Sequence, residues 1–125
     1  METKLLHLMD DTLTKEELLY IELARIFLSD VPEQYDYEFI IEASKGFTLE
    51  FIERIVVNFL APSYHEHIDD IFGEEVLHDK EKILENIKKN KKHPILIKLL
   101  APYYRRKIKS RWEPLKKRLI ESGIK

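Results

Sequence analysis

Along most of the chain apolar residues recur three and four positions apart, and no segment alternates with period two over a convincing length. That periodicity permits helices and leaves strands nothing to build on. The Asn-Gly and Asp-Gly pairs that close tight hairpins are absent as well. The predicted fold class is therefore all-α, a compact single-domain bundle of about six or seven short helices spanning residues 1–125. A length of 125 residues is that of one domain, and with 44% of residues hydrophobic and 35% charged the chain can bury a real core.

Local signals place the helices. Thr14-Lys15-Glu16-Glu17 reads as a capping box, in which the hydroxyl and the carboxylate each reach the other's backbone N–H. Leu18, Leu19, Ile21, Leu23, Ile26, Phe27 and Leu28 then line one broad face, with Glu22 and Arg25 off it, up to Ser29-Asp30. Tyr37, Phe39, Ile40, Ile41 and Ala43 predict a second helix, stopped by Gly46, the residue that takes a left-handed C-cap at least cost. Thr48 can cap a third through Leu60, with Ile52, Ile55, Val56 and Phe59 inward, and Pro62 ends it. Pro62 also suits the start of a fourth helix running to about Phe72 and closed by Gly73. Asp79 is the expected cap of a fifth, carrying Ile83, Leu84 and Ile87, which frays into an exposed loop at Lys88–Lys92. Beyond His93-Pro94 the series Ile95, Leu96, Leu99, Leu100, Tyr104, Ile108, Trp112, Leu115 and Leu119 predicts two or three further segments, interrupted by Pro102 and Pro114 and ending at Gly123. Phe59-Leu60-Ala61-Pro62-Ser63-Tyr64 resembles Leu99-Leu100-Ala101-Pro102-Tyr103-Tyr104 at an offset of 40. Solenoids need about three or more units, so the reading is one helix-Pro-helix corner used twice.

A net charge of -2 conceals a division. Residues 1–79 hold 5 Lys+Arg against 19 Asp+Glu, whereas residues 80–125 hold 16 against 4. Such separated fields steer charged partners, unless the halves neutralise each other within the fold. Zero cysteines exclude a disulfide scaffold, a thiol nucleophile and a thiolate metal site, and 3 glycines leave no room for a phosphate-cradling loop. The start lacks the features of a secretory signal and no apolar run is long enough to span a bilayer, so the expectation is a cytoplasmic protein without membrane partners.

Catalysis has little support. His65-Glu66-His67-Ile68-Asp69-Asp70 holds ligand-type residues, but the i, i+4 histidine pair of a zinc helix is missing, and a solvated acidic face accounts for it; no metal or cofactor is expected. No serine lies in a nucleophile-elbow context. Two binding surfaces remain. Arg105, Arg106, Lys107, Lys109, Arg111, Lys116, Lys117 and Arg118 interleave with Tyr103, Tyr104 and Trp112, the materials of nucleic-acid binding, with Arg105, Arg106 and Lys109 as contacts. Tyr104, Ile108 and Trp112 fall four apart in line with Leu100, however, which places them in the core. The other surface is acidic: Asp36, Glu38, Glu42, Glu50, Glu53, Glu66, Asp69, Asp70, Glu74 and Glu75, with Tyr64, Tyr35 or Tyr37 as aromatic anchors. A rigid acidic face can imitate a phosphate backbone and cap a cationic active site.

Leu23-Ala24-Arg25-Ile26-Phe27-Leu28, Gly46-Phe47-Thr48-Leu49, Ala61-Pro62 and Gly73-Glu74, spread over residues 18–80, resemble a family of small uncharacterised bacterial helical proteins. In character the chain is similar to the immunity proteins of contact-dependent inhibition and related polymorphic toxin systems. The resemblance implies a partner-binding role and supplies no catalytic residues; together with the acidic face, the leading expectation is a non-enzymatic immunity protein that binds a cognate toxin, a cationic nuclease domain, and occludes its active site. The alternative is a nucleic-acid-associated protein that uses the basic C-terminal segment.

Overall fold

The computed structural model describes residues 13–28, 32–65 and 80–125, which are helical apart from short connections and contain no strand. The first helix, α1 (Lys15–Leu23), begins at the predicted capping box: the Glu17 N–H donates to Thr14 Oγ1 and the Thr14 N–H to the Glu17 carboxylate, each at 3.0 Å. Where one helix is predicted, a turn at Ala24 separates α1 from α2 (Arg25–Leu28), because the Phe27 N–H bonds back to the Ala24 carbonyl three residues earlier. The predicted end at Ser29-Asp30 lies outside the described residues.

Helix α3 (Gln34–Ser44) starts before its apolar pattern does, since the Asp36 carboxylate accepts from the Glu33 N–H at 2.9 Å and supplies a cap. Gly46 follows it at φ +93°, where a side chain would be strained. Thr48 caps α4 (Leu49–Arg54), its hydroxyl accepting from the Phe51 N–H at 3.1 Å.

Pro62 does not end this helix. The chain continues from α4 through a π-helical segment, π1 (Ile55–Leu60), into α5 (Ala61–Tyr64), and the Ala61 N–H reaches the Val56 carbonyl five residues back. The wider turn lets a residue with no N–H follow without a break. The predicted continuation to Phe72 and Gly73, and the cap at Asp79, lie outside the described residues.

The lysine-rich stretch is likewise helix rather than loop, for α6 runs Lys80–Lys91. Lysine is a good helix former and cations in a last turn complement the helix dipole. Side chains hold this end in place. Asn90 Nδ2 donates to the Phe59 carbonyl at 2.7 Å and to Ser63 Oγ at 3.0 Å, and Lys91 Nζ donates to the Tyr20 hydroxyl at 2.8 Å.

Helices α7 (Pro94–Lys107) and α8 (Lys109–Glu121) meet at Ile108 and contain Pro102 and Pro114 without interruption. π1 sits at the centre, with Ile55 and Leu60 fully buried, and packs on α1, α6 and α7; α8 lies across α2, α3 and α4. Tyr104, Ile108, Trp112, Leu115 and Leu119 are buried as predicted. Ile95, Leu96, Leu99 and Leu100 are not, because α7 turns Ile97 and Ala101 inward in their place. The two Ala-Pro corners do match in role, since Ala61 and Tyr64, like Ala101 and Tyr104, face the interior.

Candidate partner-binding site

Three of the residues proposed for an acidic interface, Asp36, Tyr64 and Tyr37, are interior. Asp36 is 1% exposed and shares Arg25 with the equally buried Glu22: Arg25 Nη1 lies 3.0 Å from Asp36 and Nε lies 2.5 Å from Glu22. The guanidinium also stacks over the Phe39 ring, 4.3 Å from its centroid. Burial alone would lower its basicity, but the Glu22 and Asp36 carboxylates outweigh that and hold it raised above its ordinary value. This network explains why Glu22, expected off the apolar face, is covered.

Tyr64 is the second correction. It is 1% exposed, its ring packs on Phe27, and its hydroxyl accepts from Asn86 Nδ2 at 2.9 Å. Tyr37 is buried too, beneath the Arg118 guanidinium at 4.2 Å. Glu53 is half-buried and 3.6 Å from Arg105, while Glu50 faces Arg54 at 3.6 Å on the surface. Glu66, Asp69, Asp70, Glu74 and Glu75 lie outside the described residues.

What survives is the outer face of α3. Tyr37, Ile40 and Ser44 point inward, so the helical repeat sends Tyr35, Glu38 and Glu42 outward, three and four residues apart. Tyr35 is 52% exposed. Its phenol is held above the usual tyrosine range by the neighbouring Asp36 charge first and by a hydrogen bond to Glu33 second. Glu38 accepts from Gln34 at 3.3 Å and Glu42 pairs with Lys45 at 3.4 Å, both on the surface, where such contacts hold side chains only weakly.

The basic half forms another side of the molecule. Arg106 and Lys109 are exposed and, with Lys107, Ser110, Glu113 and Pro114, line a shallow hollow of about 530 Å³. Arg105 instead answers Glu53, and Lys91 lies 3.7 Å from Glu16, so the two halves are tied in part within the fold. Tyr104 and Trp112 are covered, which leaves Tyr103 as the exposed aromatic among these cations.

His65 is the described member of the ligand-type cluster. Its Nδ1 donates to the Ala61 carbonyl at 2.7 Å and its ring lies against Tyr103 and Tyr104. Among the described residues no three His, Asp or Glu side chains come together to hold a metal ion, and no helix is long and apolar enough to cross a membrane.

A family model described as "Domain of unknown function (DUF7079)" matches residues 14–118. No curated protein and no solved structure matches the chain.

Proposed function

We propose that this chain, which belongs to the DUF7079 family, is an immunity protein that binds a cognate toxin and neutralises it by occlusion. The partner is a cationic nuclease domain. The observation that carries the reading is the outer face of α3, on which the exposed Tyr35 shares one side of the helix with Glu38 and Glu42. Aromatic side chains dominate interface energies, and like charges around one favour rapid, oriented encounter with a surface of opposite sign. Tyr35 serves as the anchor and the two carboxylates as the guides.

Glu38→Lys with Glu42→Lys is expected to slow association about tenfold and to flatten its salt dependence, while circular dichroism stays unchanged. Tyr35→Ala should act on dissociation instead, again by about tenfold or more. The partner is obtained first, by a tagged pull-down washed at rising salt with and without nuclease. A basic protein recovered in one-to-one ratio after nuclease treatment supports the proposal. RNA or DNA recovered and lost with salt would move the function to Arg106, Lys109 and their neighbours, and unaltered kinetics in the α3 variants would remove this face from the interface.

A further inference from the structure

Helix α7 is apolar on two adjoining faces. Ile97, Ala101 and Tyr104 face the core, whereas Ile95, Leu96, Leu99, Leu100 and Tyr103 form a strip turned to solvent, with Ile95 77% and Leu99 73% exposed. An apolar arc wider than the stripe that faces the core leaves aliphatic surface in water, and an exposed strip of this kind marks a contact site.

The internal repeat indicates what shape the contact takes. In the first corner Leu60 is fully buried and α6 covers the turn, with Asn86 on the Tyr64 hydroxyl, Asn90 on the Phe59 carbonyl and Lys91 over the Phe59 ring at 5.3 Å. Leu99 and Leu100 hold the positions of Phe59 and Leu60 in the second corner, yet they face outward, with Leu99 largely exposed. The same corner is packed under a helix once and open once.

Charge indicates the chemistry. From Asn86 to Trp112 the sequence contains ten Lys or Arg and no carboxylate. Lys92, Lys98, Arg106 and Lys107 are exposed around the strip. A second copy of α7 would meet it with the same sign, which costs energy at a contact, so the occupant carries carboxylates. At the start of the strip Lys92, His93, Pro94, Ile95, Leu96 and Leu99 border a shallow, open hollow of about 430 Å³ in which an apolar side chain can rest.

We infer that α7 is a second docking surface, which receives an amphipathic helix of a partner protein whose leucine-rich or aromatic face is bordered by Asp and Glu. It is separate from the α3 face and does not depend on it. Helices of this kind seat their apolar side on an exposed apolar surface through anchors at i, i+3, i+4 and i+7.

The test uses the full chain and a fluorescent 18-residue helical peptide with leucines at that spacing flanked by glutamates, beside a twin flanked by lysines. The glutamate peptide should bind one-to-one, and Leu96→Glu with Leu99→Glu should weaken it at least tenfold. Lys98→Glu with Arg106→Glu should invert the preference, so that the lysine peptide binds better. Because the chain has no cysteine, Leu99→Cys provides a unique thiol, which should react readily with a maleimide and be shielded by the glutamate peptide. Circular dichroism confirms that each variant is folded. The inference is overturned if the glutamate peptide fails to bind, if the leucine substitutions leave binding unchanged, or if the Leu99→Cys thiol is already shielded in the protein alone. It is equally overturned if phosphatidylserine vesicles or single-stranded RNA bind this face more tightly than the peptide and are displaced by the same substitutions. None of these variants alters α3, so failure here leaves the toxin reading standing.

Discussion

Arg25→Ala lowers the midpoint of thermal unfolding by roughly 10 °C, a loss of about 3 kcal/mol, the range found when one member of a buried charged network is deleted. Arg25 is the shared cation of two carboxylates that are 3% and 1% exposed, Glu22 and Asp36. Neither can move into water without unpacking α1 from α3, so the deletion removes from the interior a cation that both carboxylates share. The Asp36 carboxylate also caps α3 by accepting from the Glu33 N–H, which extends the disturbance to the start of that helix. Arg25→Met separates charge from packing: it retains apolar contact with Phe39, and recovery of most of the stability would show that packing, not the ion pairs, was lost. Scanning calorimetry of the three proteins decides the matter, and a midpoint for Arg25→Ala within about 2 °C of the parent would sink the argument.

Tyr64→Ala has the largest expected cost, about 4 kcal/mol, because a fully buried aromatic side chain leaves a cavity that its neighbours fill only in part. The ring packs on Phe27 and closes the end of α5 against α6. Tyr64→Phe isolates the hydroxyl, whose removal takes an acceptor from the Asn86 amide and costs about 1 kcal/mol. Tyr35→Ala is the counterpart on the surface, expected within about 0.5 kcal/mol of the parent. Urea titrations give all three. Equal losses at positions 35 and 64 would mean that the assignment of one tyrosine to the interior and the other to the exterior is mistaken.

Much of this is legible in the sequence. The helical class followed from spacing alone, and the caps at Thr14 and Thr48 and the left-handed Gly46 followed from side chains that act on their nearest neighbours. The inward placement of Tyr104, Ile108 and Trp112 was also readable, because a strict four-residue line has one face. The failures share a cause. Asp36 and Glu22 look like surface residues in a local window; Arg25 follows Glu22 by three positions, but its reach to Asp36, 11 residues on, depends on the packing of α2 against α3. Tyr64 reads as exposed between polar neighbours until Asn86, 22 residues later, meets its hydroxyl. Pro62 reads as a stop because a π turn has no sequence signature of its own. The candidate site divided in the same way: Glu38 and Glu42 came from composition, the choice of Tyr35 over Tyr37 and Tyr64 required burial, and the strip on α7 was hidden by an apolar pattern that two adjoining faces share.

The position of α8 across α2, α3 and α4 bears on how the protein is made. Translation delivers those three helices long before α8, and until it arrives their apolar sides have no cover from it. Chains emerge at about 5–20 residues per second, slowly beside the formation of single helices. For seconds the nascent chain holds α2, α3 and α4 without their roof, and helices as short as α2 and α4 need tertiary packing to persist, so the segment is open to chaperones and to proteases until α8 emerges.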